Sequence, residues 1–174
     1  MKKFMALLVC VSLTAMLSGC GSSVTLDRHI AVEGLHCYVP SGWSEERSDD
    51  TDDYGLGYKY GIASFHNEEK SEFIYVSYAN TNIGKTPEEK MEEKKKIGTI
   101  DGLTKEFRYQ FLESSAIDGA KCTVYEFGYE LEGGNVNDIS KKIAYIDAYN
   151  MSYEIEASPS MLDEVLKTVK LEEV

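Results

Sequence analysis

Positive charge is scarce in this sequence. Its 174 residues carry 18 Lys and Arg against 30 Asp and Glu, a net charge of −12. Nucleic acid binding needs cations that neutralise phosphates, so the balance argues against a nucleic acid partner. It argues equally against electrostatic attachment to anionic lipid. Histidine is nearly missing: His29, His36 and His66 are all there are. None of them falls in H-E-x-x-H or another zinc spacing. There is no G-x-G-x-x-G, no P-loop and no C-x-x-C. A serine nucleophile favours G-x-S-x-G, but Ser64 has Ile62 and His66 where the glycines should stand. A long hydrophobic run is lacking too. The apolar stretch from Phe4 to Leu17 is 14 residues long, short of the roughly 20 that cross a bilayer. No catalytic activity can be read from these residues.

What the opening does contain is ordered. Lys2 and Lys3 precede the apolar stretch, and its length suits a signal-peptide h-region. Leu17-Ser18-Gly19-Cys20 then resembles the bacterial lipobox, with small polar residues following at once. The resemblance implies a diacylglyceryl group on the Cys20 sulfur and cleavage just before it. Each buried CH₂ contributes about 0.8 kcal/mol, and two chains anchor where one holds only marginally. Residues 1–19 are then expected to be a cleaved signal peptide, 20–28 a lipidated tether and 29–174 one domain. The chain is expected on the extracytoplasmic face of the cell membrane. An unlipidated secretory signal and an uncleaved span are the competing readings.

Four cysteines are present. Cys10 leaves with the signal and Cys20 carries lipid, so Cys37 and Cys122 remain. An extracytoplasmic site permits a disulfide between them, with about 4 kcal/mol of chain-entropy stabilisation. Two buried free thiols on separate strands are the other reading, since cysteine is among the most buried residue types.

Period-two alternation, the strand signal, recurs along the domain. Leu35, Cys37 and Val39 share one face before Pro40. Tyr58 to Phe65 and Phe73 to Tyr78 are a second and third strand, and Phe107, Tyr109 and Phe111 line a fourth. Asp118-Gly119 suits a positive-φ turn. A fifth strand follows, with Thr123, Tyr125, Phe127 and Tyr129 opposite Cys122 and Val124. Ile143 to Ala148 and Tyr153 to Ala157 complete seven. Thr86-Pro87-Glu88-Glu89 is a capping box with proline first in the helix, and Gly98 is the expected stop. The apolar face of this helix is thin, chiefly Met91 and Ile97, so it should lie exposed. A second helix from Pro159 or Ser160 carries Leu162, Val165, Leu166 and Val169 as a core stripe. The expected class is α+β, a central antiparallel sheet of about six to seven strands flanked by helices.

Val39-Pro40-Ser41-Gly42-Trp43 resembles the close of the first strand in PsbP-like proteins. Tyr153 to Pro159 resembles their penultimate strand, and Met161 to Val169 with Lys170-Leu171 their C-terminal helix. Asp118-Gly119 ahead of an aromatic strand also fits. The resemblance spans nearly the whole chain after residue 19. It implies a central antiparallel sheet flanked by helices and a non-catalytic extrinsic or adaptor role. The photosynthetic member of that family supports a manganese–calcium centre, a partner that does not carry over on fold alone.

Among candidate sites, Asp49, Asp50, Asp52 and Asp53 crowd four carboxylates into five positions. An EF-hand loop starting at Asp50 would put Tyr54 at position 5 and Gly61 at position 12, where Glu is needed. The stretch therefore reads as a solvated hairpin loop between the first two strands, or as a weak cation site. Tyr54, Tyr58 and Tyr60 cluster just after it and are an interface candidate. Most of the twelve tyrosines read as strand packing, and Trp43 as a core plug. The expectation is a lipid-anchored, non-catalytic binding or accessory domain with a protein partner in the cell envelope. No cofactor is expected beyond the lipid on Cys20. An envelope hydrolase or metal-dependent enzyme assembled from distant residues, or a weak divalent-cation binder, is the alternative.

Overall fold

The computed structural model describes residues 24–51, 57–100, 104–131 and 141–173. The chain opens with a hairpin, β1 (Arg28–Val32) against β2 (Leu35–Val39). Glu33 and Gly34 join them at φ 42 and 85, the left-handed pair that a two-residue turn matched to strand twist requires. Strands β3 (Ser44–Thr51), β4 (Lys59–Asn67) and β5 (Glu72–Ala79) form a meander. A short 3₁₀ turn at Asn80–Asn82 leads to helix α1 (Pro87–Ile100). Strands β6 (Thr104–Ile117), β7 (Ala120–Leu131), β8 (Lys141–Ala148) and β9 (Met151–Ala157) follow. Helix α2 (Pro159–Leu166) and the short β10 (Lys170–Leu171) end the fold.

Seven strands make the main antiparallel sheet in the order β3-β4-β5-β9-β8-β7-β6. Strands β1, β2 and β10 make a second, smaller sheet. The α+β class therefore stands, and the main sheet has seven strands. Its membership differs from the alternation pattern in one exchange. β2, the first alternating strand, belongs to the small sheet, and β3 takes the seventh place. β3 reads Ser-Glu-Glu-Arg-Ser-Asp-Asp-Thr and has no apolar alternation at all. It is an edge strand, where charge is tolerated and discourages pairing with other chains.

The two faces of the main sheet are covered differently. One face meets the small sheet and α2. Phe65, Ile74, Val76, Val124, Ile146, Tyr153 and Ile155 pack there with Leu35, Val39, Trp43, Met161, Leu162 and Val165. Trp43 is thus a core plug. On the other face, α1 carries the chain from β5 to the far edge and lies over β6, β7 and β8. Met91 there joins Phe107, Tyr125, Phe127, Ile143 and Tyr145 in a second cluster. The capping box forms as expected: the Thr86 amide donates to Glu89 Oε2 at 2.7 Å, and the Glu89 amide to Thr86 Oγ1 at 3.2 Å. One feature of the helix differs from expectation: it runs past Gly98 to Ile100. Its apolar face is thin as expected, with Met91 buried and Glu88, Glu89, Glu92, Glu93, Lys95 and Lys96 exposed. The strand beneath offers aromatic rings, so one methionine and the stems of lysines suffice to seat it.

Val24 and Leu26 pack against the main core, and the Asp27 amide donates to Val39 O at 3.2 Å. The last residues of the expected 20–28 tether therefore belong to the domain. Among the described residues, no helix is long and apolar enough to cross a membrane.

Candidate functional site

The face of the main sheet beneath α1 is the chemically distinctive surface. Under the helix, tyrosines secure it. Tyr125 donates to Glu88 Oε1 at 2.7 Å, Tyr109 to Glu92 Oε1 at 2.6 Å and Tyr145 to Met91 Sδ at 3.3 Å. Burial, aided by the Glu88 carboxylate, pushes the Tyr125 phenol far up. The same hydrogen bond holds Glu88 below the usual carboxylate range. These tyrosines are structural, in line with the strand-packing reading.

At the border of the helix runs a row of paired charges. Lys90 is buried, with its Nζ 2.8 Å from Asp147 Oδ1 and 2.7 Å from Ser152 Oγ. Glu156 receives Lys94 at 2.7 Å and Lys141 at 3.0 Å. Lys85 reaches Glu93 at 2.8 Å. Lys90 and Lys94 also sit over the rings of Tyr145 and Phe127. Lys141 sits over Phe73, where a cation gains from the ring quadrupole. The Ser152–Lys90 contact brings a hydroxyl and an amine together as a serine hydrolase would. Here, however, Lys90 also donates to a carboxylate.

Beyond that row the face is uncovered. Glu154 lies there on the central strand β9, half-buried. Burial is the main influence on it and raises its carboxyl above the ordinary range. Lys94 and Lys90 act in the opposite direction, while Glu156 and Glu93 add to the rise. Among the described residues, no hydrogen bond or ion pair reaches the Glu154 carboxyl. In register, Ser48, Ile62, Ser77 and Glu154 stand side by side on β3, β4, β5 and β9. They line a depression of about 260 Å³, together with Tyr60 and Asn82. The Tyr75 phenol, in the neighbouring row, is raised by burial and then by Glu156 and Glu46.

The sequence candidates are distributed unevenly around this surface. Tyr58, just before β4, is 49% exposed, and Tyr60 and Ile62, which line the depression, are 48% and 40% exposed. Tyr54, Asp52 and Asp53 lie outside the described residues. Asp49 and Asp50 have strand backbone in β3, opposite Gly61 and Tyr60, so that part of the acidic stretch is not hairpin loop. Cys37 and Cys122 are unbonded and buried. Burial pushes their thiols up to about 12 and about 11. His29 Nε2 and His36 Nδ1 lie 3.2 Å apart on the small sheet, with His36 3.4 Å from Glu172. Among the described residues, no group of three or more His, Cys, Asp or Glu is arranged to hold a metal ion.

Glu154, Ser77, Lys90 and Ser152 were not singled out from the sequence. A signal existed for one of them. In Tyr153-Glu154-Ile155-Glu156, the residues pointing away from the main core are both charged. That alternation places Glu154 on the face turned away from the core, the ordinary pattern of an antiparallel strand with one solvated face.

At the other end of the sheet, the Pro40-Ser41-Gly42-Trp43 turn is pinned by Asp27. Its carboxylate accepts the Ser41 amide at 2.8 Å and the Ser41 hydroxyl at 3.0 Å. These bonds hold Asp27 below the usual carboxylate range. An open hollow of about 700 Å³ lies beside it, lined by Trp43, His66 and the Asn67–Glu69 turn.

A seven-stranded antiparallel sheet with a three-stranded sheet and two helices is a PsbP-like α+β fold. Among solved structures, the chain is similar to the solution structure of cyanobacterial PsbP (CyanoP) from Synechocystis sp. PCC 6803. The match has a TM-score of 0.58 and 15% identity, covering 90% of this chain and 99% of that one. At that identity the likeness is one of fold. No family model matches the sequence, and no curated protein matches it.

Proposed function

We propose that this chain is a lipoprotein, anchored through diacylglyceryl on Cys20, whose PsbP-like domain is a non-catalytic binding or accessory module outside the cytoplasm. The observation that carries the binding role is the uncovered half of the main sheet. There Tyr60 and Ile62 stand exposed on β4, with Tyr58 exposed just before it. Aromatic side chains with polar tips are enriched where proteins meet partners. The address rests on Leu17-Ser18-Gly19-Cys20 and the charged, apolar segment before it. The partner is an envelope protein, since the acidic chain suits neither nucleic acid nor an anionic lipid surface.

Two measurements test this. Globomycin treatment, or Cys20→Ala, should leave an unprocessed precursor without lipid label. Unchanged processing would overturn the anchor. Crosslinking in intact cells should trap a protein partner, and Tyr58→Ala with Tyr60→Ala should abolish the trapped species while lipidation continues. An unaltered crosslink would overturn the binding face.

A further inference from the structure

We infer that the depression at Glu154 binds a primary ammonium group carried on a short apolar stem. This deepens the reading of the domain as a binding module and is independent of the lipid anchor.

The argument begins with pairing. Asp147, Glu156 and Glu93 border the helix, and each has its own lysine at 2.7–3.0 Å. Among the described residues Glu154, which stands among them, has no ion-pair partner, and Lys94 and Lys90 act on it only through space. Lys90 is held by Asp147 and Ser152, and Lys94 by Glu156. A half-buried carboxylate without a partner is costly in its charged form. A cation arriving from solvent would supply what the protein does not.

The shape of the depression says which cation. Strands in a sheet lie about 4.8 Å apart, so Ser77 is one strand from Glu154 and Ile62 two strands away. The carboxylate and the Ser77 hydroxyl offer acceptors at one end. Ile62 and Tyr60, both exposed, offer an apolar wall at the other. The volume of about 260 Å³ is smaller than the roughly 300–1,000 Å³ typical of drug-sized ligands. A bare divalent metal ion fits poorly. Calcium wants six to eight oxygens, and Glu156, the other carboxylate on this face of β9, is already held by two lysines. An alkylammonium needs one carboxylate and a surface for its methylenes. A free amine and a lysyl side chain share this chemistry.

The test uses the full chain, purified from expressing cells in a mild non-ionic detergent and isotope-labelled for amide NMR. It is titrated with n-butylammonium, with Nα-acetyl-lysine amide, with n-butanol and with calcium and manganese chloride. Saturable shifts are expected for Ile62, Ser77 and Glu154 with one or both ammonium compounds, at a Kd on the order of 1 mM. Response to the lysine compound alone identifies a partner's side chain as the source, and response to both admits a free amine. Binding should weaken as pH falls and Glu154 takes up its proton. The groups that face Glu154 are Lys90, Lys94 and Glu93 from α1 and Glu156 from its own strand. Glu154→Gln should weaken binding more than about tenfold. That variant relieves a buried charge, so misfolding is not expected to mimic the loss. The inference is overturned by no shifts with either ammonium compound, by equal shifts with n-butanol, by equal binding to the Gln variant, or by tighter binding of either metal. None of these outcomes bears on lipidation or partner capture.

Discussion

Lys90 Nζ lies 2.7 Å from Ser152 Oγ, joining the first turns of α1 to the middle of the main sheet. The two residues are 62 positions apart, and both are buried. This contact, with Asp147 as the second acceptor at 2.8 Å, is what a thin apolar helix uses in place of a full hydrophobic stripe. It sets the position of α1, and so decides which half of the sheet face is covered and which half is left for Glu154.

Lys90→Met keeps the stem of the side chain and removes the charge. Ser152 then loses its donor in a buried place, while Asp147, 44% exposed, can turn to water. The expected loss is about 1–3 kcal/mol, the cost of a buried polar group left unsatisfied. Asp147→Asn leaves the buried Lys90 ammonium without its counter-charge and should cost more, about 3–5 kcal/mol. Urea denaturation of the two variants checks the order. A smaller loss for Asp147→Asn than for Lys90→Met would mean that Ser152 alone holds the ammonium.

Glu154→Gln should stabilise the protein at neutral pH. The folded state raises the Glu154 carboxyl, chiefly through burial, so it keeps its proton at pH values where the unfolded chain has released it. Stability contributed by this group therefore falls as pH rises from the ordinary carboxylate range through the raised one. Glutamine removes that dependence. The melting temperature of the variant should exceed that of the parent near pH 7 and converge with it near about pH 3.5. A variant that melts lower at neutral pH would show that Glu154 has a hidden structural partner.

Most of the strand set was legible because it alternates. Phe65 to Ala63, Ile74 to Tyr78 and Tyr153 to Ala157 each put apolar residues on one face, and that period survives any tertiary context. β3 was not legible, because an edge strand of Ser, Glu, Arg and Asp has the composition of a loop. It becomes a strand only because β4 offers an unpaired edge. The helix boundary at Gly98 was a misreading of propensity, overridden by the continuing helix. The candidate site was hardly legible at all. Ser48, Ile62, Ser77 and Glu154 come from four strands and are neighbours through register alone. No short motif encodes register. The Tyr58–Tyr60 pair could be found because exposed aromatics follow an acidic stretch, a local feature.

The α2 stripe gives a clean test of the main core. Leu162 is fully buried among both sheets, so Leu162→Ala should cost about 2–5 kcal/mol, the transfer and cavity terms together. Leu112 is a useful control. It sits at the bulge of β6 between Phe111 and Glu113 and is 37% exposed. Leu112→Ser should change stability by no more than about 0.5 kcal/mol. Chemical denaturation measures both. A large effect at Leu112 would point to a contact on the outer edge of the sheet.

The thiols of Cys37 and Cys122 test the core and the anchor together. A thiolate is the reactive form, and burial pushes these two thiols up to about 12 and about 11. Neither should react with Ellman's reagent in the folded protein, even at mildly alkaline pH. In denaturant without reductant, both should react, because neither is bonded to another sulfur. If Cys20 carries lipid through its sulfur and Cys10 has left with the signal, the denatured protein yields two thiols. Three thiols would mean a signal cleaved without lipid on Cys20, four an unprocessed precursor without lipid, and none a disulfide between Cys37 and Cys122 in the lipidated chain. Slow labelling of the native state at the rate of global unfolding would be consistent with burial. Fast labelling of either residue would contradict its place in the core.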